Sequence, residues 1–538
     1  MRRLLIPLLL LVSAYVYAEP DSARVNRIKS YLMAQPDRCS LPEYNGEWRQ
    51  LNYSVDMMSL TDGFDLLGYM PHKKSLDVGS SPISIGYETL DRDTFDPRLT
   101  FGYLSECGVK YALCQTGWWK CERRQGHFDF NWLDEVVDSL SKQGISTWFS
   151  LGFGHPAYTP CDYFEQQWKE AEKTGKIVPG WARGWVGESP WYAGEKAMKA
   201  WLRYVHALAV HFKGRVGIWE IWNEPETFWR HNYKKAGDLW TDEKAARDFA
   251  EFFKVTAAEI RKVIPDAKCS FNLTERCSVW HITLAKEGIA EVADIYNYHD
   301  YKRYPEDNLR NSFEQLRTIF RRKDGTCLEI WNGESGRASG KSNVFAFPSE
   351  YAQAKFISRR VVCDVSYGAK VTNIFTVTDF LSYYEDGRDQ YYGIWNAREN
   401  KAKLGYYTLQ SLCYIFDGLE KAPEYYFYFT TPSSAISFTS IAPYANVEVA
   451  QFKKGNIPVI AFWQKEHVDI NAAPLHGMFR YVTDFPGLLQ HPIIIDPVRG
   501  RIWDVKSKVG YYKRGIEELE VWAYDYPLFL TDISFFEN

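Results

Sequence analysis

Two glutamates each follow a short apolar run that has the pattern of a strand. The first is Glu224 in WEIWNEPE, residues 219–226, and the second is Glu334 in CLEIWNGESG, residues 327–336. Pro225 cannot donate to a strand ladder and favours an extended conformation for the residue before it. We therefore expect Glu224 to lie, extended, where a strand ends and a loop begins. Two carboxyl groups that face one another can supply an acid and an ionised partner to a single bond.

The first of these stretches resembles the acid/base strand of the clan A glycoside hydrolases, in which Asn-Glu-Pro closes the fourth strand of a (β/α)8 barrel. In that clan the second catalytic carboxylate ends strand seven. The resemblance therefore implies a second strand-plus-Glu three β-α units later. Glu334 follows Glu224 by 110 residues, an interval that three units of about 30 residues or slightly more fill. The resemblance covers roughly residues 83–420 and is greatest to family 39 and related barrels that carry a C-terminal β-sandwich.

The resemblance also implies a role for each carboxyl group. Glu224 would be the general acid/base, and Glu334 would be the nucleophile of a retaining hydrolysis that passes through an oxocarbenium-like transition state. We expect burial and the second carboxylate to raise the pKa of Glu224, while Glu334 stays ionised. The oxygens of the two groups are expected to be about 5 to 5.5 Å apart.

Further residues near the strand ends are implied to contact the sugar or the nucleophile. In the clan, the Asn before the acid/base contacts the hydroxyl next to the anomeric carbon, a role that falls here to Asn223. The predicted sixth strand ends Tyr298-His299-Asp300-Tyr301. By the same resemblance Tyr301 hydrogen-bonds the nucleophile and His299 lines the site, with Tyr298 as the alternative to Tyr301.

The ends of the other strands supply further candidates for sugar contacts: Glu88, Gln115, Trp118, His155, Thr378 and Asp379. Many clan relatives place a Trp from strand eight beneath the sugar, but this chain has Phe375–Phe380 there. Trp118 or Trp395 would then form the floor, unless the sugar is bound differently. Strand alternation places Glu220 inside the barrel and deeper than Glu224, where a structural ion pair is the favoured interpretation.

The chain around these motifs alternates between strand and helix patterns. Eight strand-then-helix units predict an α/β fold, a (β/α)8 barrel over residues 81–420, with an open doubly wound sheet as the alternative. The predicted strands are residues 83–88, 110–116, 146–153, 216–224, 268–274, 293–299, 327–334 and 370–378. A helix pattern follows each strand, and a long insertion separates the third strand from its helix at 196–212.

Beyond the barrel the pattern changes to a period of two. Strand-like runs at residues 425–429, 435–440, 447–452, 458–463, 477–482, 493–495, 500–503 and 516–524 are separated by Gly, Pro and Asn turns. They predict an antiparallel β-sandwich over residues 421–538. The segment 19–80 contains a helical opening and alternating stretches that could add strands to this β domain.

The N-terminus has the features of an export signal. Arg2 and Arg3 precede an apolar run too short to span a bilayer, and Val16-Tyr17-Ala18 places small residues where a signal peptidase cuts. We therefore predict that residues 1–18 are removed and that the protein is secreted or periplasmic, without a membrane association afterwards. Export permits disulfides, and Cys121 and Cys161 fall in loops from which they could form a bridge.

Composition and charge restrict the choice of function. A net charge of −4 gives no electrostatic reason to expect nucleic acid as a partner. Aromatic residues make up 16% of the chain and offer flat stacking surfaces of the kind that sugars use. Neither a metal site nor a cofactor is indicated. The sequence thus predicts a secreted retaining glycosidase acting on β-linked oligo- or polysaccharides. The alternative is a non-catalytic carbohydrate-binding or scaffolding protein.

Overall fold

Eight parallel strands close into a barrel. The computed structural model describes residues 21–41, 64–229, 241–274, 278–307, 309–340, 349–422, 427–430, 446–466, 475–482, 489–513 and 516–537. The barrel strands are Ile83–Tyr87, Tyr111–Gln115, Ser146–Leu151, Ile218–Ile221, Lys268–Leu273, Ile295–His299, Glu329–Ser335 and Thr372–Ile374. The last strand pairs with the first, which confirms the predicted barrel and excludes an open sheet.

A helix follows each barrel strand. In chain order these helices are Phe101–Ser105, Asn131–Lys142, Glu195–Phe212, Asp242–Val263, Val279–Lys286, Leu309–Ile319, Glu350–Tyr367 and Leu404–Ile415. They form because apolar residues recur three or four positions apart on one face, as Trp201, Val205 and Leu208 do on the third helix. Within the described ranges, none of the helices combines the length and the apolar composition that crossing a bilayer requires.

Shorter helices lie in the loops at the end of the barrel where the strands terminate. Trp118–Cys121 follows the second strand, and Pro225–Phe228 follows the fourth. The long insertion after the third strand contains the helix Asp162–Thr174, the 3₁₀ turn Gly180–Ala182 and the short helix Pro190–Ala193. These loops determine the shape of the cleft above the barrel.

The C-terminal part of the chain forms two antiparallel sheets, as the period-two pattern predicts. The seven-stranded sheet contains, in spatial order, Asp65–Tyr69, Arg501–Asp504, Pro492–Asp496, Leu528–Asp532, Ile457–Gln464, Val447–Lys454 and Glu420–Lys421. The four-stranded sheet contains Phe427–Thr430, Leu475–Val482, Ile516–Ala523 and Val509–Lys513. The (β/α)8 barrel is therefore accompanied by a β-sandwich domain.

The sequence pattern did not predict every strand of the β domain. Leu528–Asp532 lies in the middle of the larger sheet and is buried along its whole length, so it lacks the alternation that marks a half-exposed strand. The N-terminal segment contributes Asp65–Tyr69, which pairs with Arg501–Asp504. The predicted strand at 435–440 lies outside the described residues.

The helix Glu350–Tyr367 joins the barrel to the β domain. Almost every residue along it is buried, because one side packs on the barrel and the other meets the sheets. Two of its basic residues are fully buried and paired. Lys355 pairs with Asp525 of the β domain, and Arg359 pairs with Glu306 at 2.7 Å. Removing one partner of such a buried pair leaves an uncompensated charge, so the Lys355–Asp525 contact holds the β domain to the barrel, while the Arg359–Glu306 contact lies within the barrel.

The predicted bridge between Cys121 and Cys161 is wrong. No disulfide joins these two residues, nor any of the other seven cysteines in the described ranges. Cys121 ends a short helix, and its Sγ donates to the backbone oxygen of Thr116 at 3.1 Å in the protein interior. Burial raises the pKa of this thiol, so Cys121 is an inert packing residue.

Candidate active site

Glu224 lies directly after the fourth barrel strand, in an unusual backbone conformation. Its φ of 44° is left-handed, which corrects the expectation that Pro225 would keep it extended. A side chain from the fifth strand holds the turn. Asn272 Oδ1 accepts from the Glu224 N–H at 2.7 Å, while Asn272 Nδ2 donates to the Trp222 oxygen at 3.0 Å. The pair of hydrogen bonds overcomes the strain and fixes the direction of the Glu224 side chain.

Glu334 ends the seventh strand just after a break in strand register. His299 pairs with Glu334, whereas the preceding residue, Tyr298, pairs with Asn332, so Gly333 is the extra residue of a bulge. A Cβ on Gly333 would lie 2.8 Å from Asn297 Cβ and 3.1 Å from His299 Nε2. Only glycine therefore fits, and the bulge turns Glu334 into the mouth of the barrel.

The two carboxyl groups meet around His299. The Nδ1 atom of His299 is 2.9 Å from Glu224 Oε1 and 3.7 Å from Glu334 Oε2. One oxygen of each glutamate and a His299 ring nitrogen all lie within 4.8 Å of one another. The Tyr301 hydroxyl donates to Glu334 Oε1. The structure thus brings together four predicted residues, Glu224, Glu334, His299 and Tyr301.

Burial governs the protonation of Glu224. It raises the pKa of Glu224 to about 7, so this carboxyl group holds a proton over a range in which an ordinary glutamate is ionised. Burial is the cause of this rise in the pKa of Glu224, and the expected contribution from Glu334 is absent. The charge of Glu224 instead helps to raise the pKa of Glu334.

Glu334 differs from Glu224 in having groups that oppose protonation. Burial is the largest influence on its pKa and raises it; the charge of His299 lowers it, the charge of Glu224 raises it, and the Tyr301 hydrogen bond lowers it. The two glutamates therefore share His299, and the hydrogen bond from Tyr301 is what distinguishes the surroundings of Glu334 from those of Glu224.

Of the remaining predicted residues, Asn223 lies next to Glu224 and is nearly buried. Tyr298 is not an alternative to Tyr301, because its hydroxyl donates to Asp364 at 2.6 Å in the barrel wall. Glu88 lies beneath the site, where its carboxyl group accepts from Asn373 and Thr376, each at 3.2 Å. Burial, and next the charge of Glu334, raise the pKa of Glu88.

Gln115 and Glu220 support neighbouring side chains. Gln115 Oε1 accepts from the Thr89 N–H at 2.7 Å and from Arg92 Nη2 at 2.9 Å. Glu220 was expected to form an ion pair, but it accepts a hydrogen bond from the amide of Asn297 and has no ion pair with the described residues. Burial raises the pKa of Glu220, while the charge of His299 and the hydrogen bond from Asn297 oppose that rise.

Four other predicted residues have their polar atoms occupied by protein groups. Trp118 is fully buried and donates to Glu122 at 2.7 Å, and His155 Nε2 is 2.7 Å from the Glu122 oxygen. Asp379 is buried against Lys403 at 2.6 Å. The Thr378 hydroxyl donates to the Trp395 oxygen at 3.2 Å. These four side chains stabilise the loops through their contacts with protein groups, so we do not assign them a contact with the sugar.

Neither tryptophan proposed as the floor is free to serve as one. Trp118 is stacked between Tyr158 and Tyr204, with ring centroids 5.3 Å and 6.0 Å away. Trp395 is stacked on Tyr103 at 3.9 Å. Phe228, Trp181 and Tyr383 instead line a pocket of 470 Å³ whose lining residues include neither glutamate. These residues lie in the loops after the strands, where no helix or strand periodicity relates them, so the sequence pattern did not indicate that they come together.

The three central residues also have the chemistry of a metal site. Glu224, His299 and Glu334 each offer one ligand atom within 4.8 Å of the others. Carboxylate and imidazole ligands suit several divalent ions. The same spacing is what two carboxyl groups need to act on one sugar without a metal.

Comparison with known proteins agrees with the fold. Residues 98–244, which include Glu224, match the Glyco_hydro_42 family model, described as beta-galactosidase. A family 39 glycoside hydrolase from Bacteroides cellulosilyticus WH2 aligns over 84% of this chain and 80% of its own, with a TM-score of 0.58 and 14% identity. The matched stretch of the chain is therefore similar to a family of glycoside hydrolases. Because identity is low, the similarity to the family 39 structure shows the shared fold.

A second protein matches only a short stretch of the chain. Beta-galactosidase BbgII of Bifidobacterium bifidum is 33% identical over 110 residues, which is 20% of this chain. The match spans 15% of the length of that protein. The galactosidase activity is therefore a property of BbgII. The match does not assign a sugar to the present chain.

Proposed function

We propose that this protein is a retaining glycosidase that cleaves β-glycosidic bonds by double displacement. The observation that carries the proposal is the approach of one oxygen from Glu224 and one from Glu334 to within 4.8 Å. Retaining enzymes place their carboxyl groups about 5 to 5.5 Å apart, whereas inverting enzymes need about 6.5 to 9.5 Å to admit a water. The short separation supports retention.

In the first step, Glu334 attacks the anomeric carbon and forms a glycosyl ester. The bond to the leaving oxygen breaks as Glu224 transfers its proton to that oxygen. His299 contacts Glu224 Oε1, so we assign the proton to Oε2; Tyr301 occupies Glu334 Oε1, so we assign the attack to Oε2. The pKa of Glu224, about 7, supports a proton donor at neutral pH.

In the second step, Glu224 is ionised and accepts a proton from water. The water oxygen bonds to the anomeric carbon, and Glu334 leaves as a carboxylate. Tyr301 and His299 stabilise the returning negative charge on Glu334, since both lower its pKa. The sugar is released with the same anomeric configuration that it had in the substrate.

A panel of 4-nitrophenyl β-glycosides tests this proposal with wild type, Glu224→Gln and Glu334→Gln. For a substrate whose leaving group needs protonation, we expect Glu224→Gln to lose about 10²–10⁴-fold in turnover. Proton NMR should show the β-anomer as the first product. Equal rates for wild type and Glu224→Gln would remove Glu224 from the mechanism, and an α-anomer first would replace retention by inversion. We expect activity to be unchanged in excess EDTA; a loss of activity would indicate a metal-dependent reaction instead.

We also propose that the protein is exported. The N-terminal residues 1–18 have the charge, apolar run and small residues of an export signal. N-terminal sequencing of the protein from the periplasm or medium should begin at Glu19. A mature protein that begins at Met1 would contradict the proposal.

A further inference from the structure

One loop carries the tyrosine that contacts the nucleophile. This loop spans residues 300–307, directly after the sixth barrel strand, and we call it the Tyr301 loop. The Tyr301 hydroxyl donates to Glu334 Oε1, and the N–H of Asp300 donates to the backbone oxygen of Glu334 at 3.0 Å. The loop therefore contacts the nucleophile through both its main chain and a side chain. Any shift of the loop would move the Tyr301 hydroxyl away from Glu334.

The start of the Tyr301 loop is held by a buried arginine. Arg360 Nη1 donates to Asp300 Oδ2 at 2.7 Å, and both side chains are buried. Arg360 Nε also donates to Asp364 Oδ1 at 2.8 Å. A guanidinium that is paired with two carboxylates is restrained in position and direction. The helix Glu350–Tyr367, which carries Arg360, therefore fixes Asp300.

The end of the Tyr301 loop is held by the neighbouring arginine of the same helix. Arg359 donates to both oxygens of Glu306, each at 2.7 Å, which is the bidentate geometry that fixes a carboxylate firmly. Burial raises the pKa of Glu306, but the charge of Arg359 and its hydrogen bonds outweigh burial and hold this pKa below its ordinary value. Glu306 is therefore an anion that anchors the far end of the loop.

The β domain completes this second anchor. Trp463 lies in the β-domain strand Ile457–Gln464 and is fully buried, and its Nε1 donates to Glu306 Oε1 at 2.7 Å. Arg359 Nη1 donates to the backbone oxygen of Glu466, just beyond that strand. The carboxylate of Glu306 thus receives hydrogen bonds from the barrel and from the β domain together. The position of the Tyr301 loop therefore depends on how the β domain is docked.

We propose that the β domain positions Tyr301 for catalysis, with Arg359 and Trp463 as positioning residues that act through the Tyr301 loop. This inference rests on the proposed glycosidase function. Both residues contact Glu306, so their effect reaches Glu334 through the backbone of the loop and the Tyr301 hydroxyl. The β domain is then a structural part of the active site and not an independent appendage.

Trp463→Phe tests the proposal, because it removes the hydrogen bond to Glu306 and keeps an aromatic ring in the core. Misplacement of a catalytic group by about 1 Å costs on the order of 10²-fold, so partial release of the loop should lower kcat about 10-fold with KM nearly unchanged. The substrate is the 4-nitrophenyl β-glycoside that wild type prefers. Asp525→Asn is the matched control. It weakens the buried contact with Lys355 between the two domains but leaves the donors to Glu306 in place, so kcat should stay at the wild-type value.

A double-mutant cycle separates the positioning of Tyr301 from a general loss of packing. If Trp463 acts through the Tyr301 hydroxyl, Trp463→Phe should have almost no further effect on kcat in a Tyr301→Phe background. Equal fold-losses in both backgrounds would overturn the proposal, and so would a wild-type kcat in folded Trp463→Phe. A loss in Asp525→Asn as large as that in Trp463→Phe would overturn it as well.

Glu306→Gln decides the question if Trp463→Phe does not fold. This substitution keeps the shape of the side chain and its acceptor for Trp463, but it removes the charge that pairs with Arg359. A loss in kcat that disappears in the Tyr301→Phe background supports the proposal. A loss of equal size in both backgrounds, or no loss, overturns it.

Failure of the proposed function has a different result in the same assay. Wild type would then turn over none of the 4-nitrophenyl β-glycosides, or would do so at the rate of Glu224→Gln. Either result overturns the positioning proposal together with the function on which it rests. Glu224-dependent turnover without coupling between Trp463 and Tyr301 overturns the positioning proposal alone.

Discussion

Asn272 holds the backbone of Glu224 from the neighbouring strand. Its side-chain oxygen accepts from the Glu224 N–H at 2.7 Å, and its side-chain nitrogen donates to the Trp222 oxygen at 3.0 Å. Both residues that it contacts have positive φ, 67° for Trp222 and 44° for Glu224. The acid of the catalytic pair is therefore positioned by a residue that does not itself face the substrate.

Replacing Asn272 should affect catalysis through the position of Glu224. Asn272→Ala leaves a buried N–H and a buried carbonyl without partners, which costs about 1–3 kcal/mol of folding free energy for each group. We expect kcat/KM to fall about 10²-fold, since misplacement of a catalytic group by about 1 Å has an effect of that size. Circular dichroism and thermal melting establish that the variant is folded. A folded Asn272→Ala with wild-type kcat/KM would contradict the positioning role.

The pKa of Glu224 predicts the alkaline limit of activity. The raised value of about 7 means that the carboxyl group is protonated below pH 7 and loses its proton as pH rises through 7. For a substrate with a poor leaving group, such as a methyl glycoside, kcat/KM should therefore decline above pH 7. Glu224→Gln should lack this decline when measured with a 2,4-dinitrophenyl glycoside, whose leaving group needs no acid. An alkaline limit that persists in the variant would assign it to another group.

Tyr301 should set the acidic limit. Its hydrogen bond to Glu334 lowers the pKa of that carboxyl group, so Tyr301→Phe should move the acidic limb of the pH profile to higher pH. We expect kcat to fall about 10- to 100-fold, because the bond also stabilises the departing carboxylate. Tyr298→Phe is the matched control, since the Tyr298 hydroxyl bonds Asp364 instead. An equal shift of the acidic limb in both variants would contradict a direct effect of Tyr301.

Gly333 should tolerate no side chain. A Cβ there would lie 2.8 Å from Asn297 Cβ, so Gly333→Ala must displace the sixth strand or the bulge that presents Glu334. We expect a loss of about 1–3 kcal/mol in stability and of at least about 10²-fold in kcat/KM. Gly217→Ala is the control, because nothing lies within 4 Å of its added Cβ. Chemical denaturation and steady-state kinetics of both variants check this, and a fully active Gly333→Ala would disprove the steric argument.

The burial of Glu226 predicts that the stability of the protein depends on pH. Burial is the main cause that raises its pKa to about 7, and Oε2 has no partner among the described residues. Because the folded-state pKa exceeds the unfolded one, the folded state loses stability as pH rises from about 4.5 through 7. Glu226→Gln keeps the contact of Oε1 with the Thr274 N–H. It should therefore stabilise the protein by about 1–3 kcal/mol at pH 8 and by almost nothing at pH 4. An equal effect at both pH values would contradict the titration of Glu226.

The positions of the two glutamates could be predicted because their signals are local. Glu224 and Glu334 each stand at the end of an apolar run, and a strand end fixes where such a side chain lies on a barrel. The contact of Tyr301 with Glu334 was implied by the resemblance to the clan A barrels. The positive φ at Glu224 was missed, because it depends on Asn272 from a different strand.

The loops could not be predicted in the same way. Trp118 follows a strand directly, yet it turns inward to Glu122 and the tyrosines around it instead of facing the cleft. Arg92, Trp181 and Tyr383 come together from three different loops, and no spacing in the sequence relates them. The strand Leu528–Asp532 was missed because burial on both faces removes the alternation by which strands are recognised.

The most direct test of the mechanism is to locate the covalent intermediate. A 2,4-dinitrophenyl 2-deoxy-2-fluoro-β-glycoside of the preferred sugar slows the second step, so the glycosyl enzyme accumulates. Peptide mass spectrometry should then find the added sugar on Glu334, with Glu334→Gln unlabelled. Label on any other residue, or turnover with no labelled protein while Glu224→Gln is as active as wild type, would contradict the proposed roles of both glutamates.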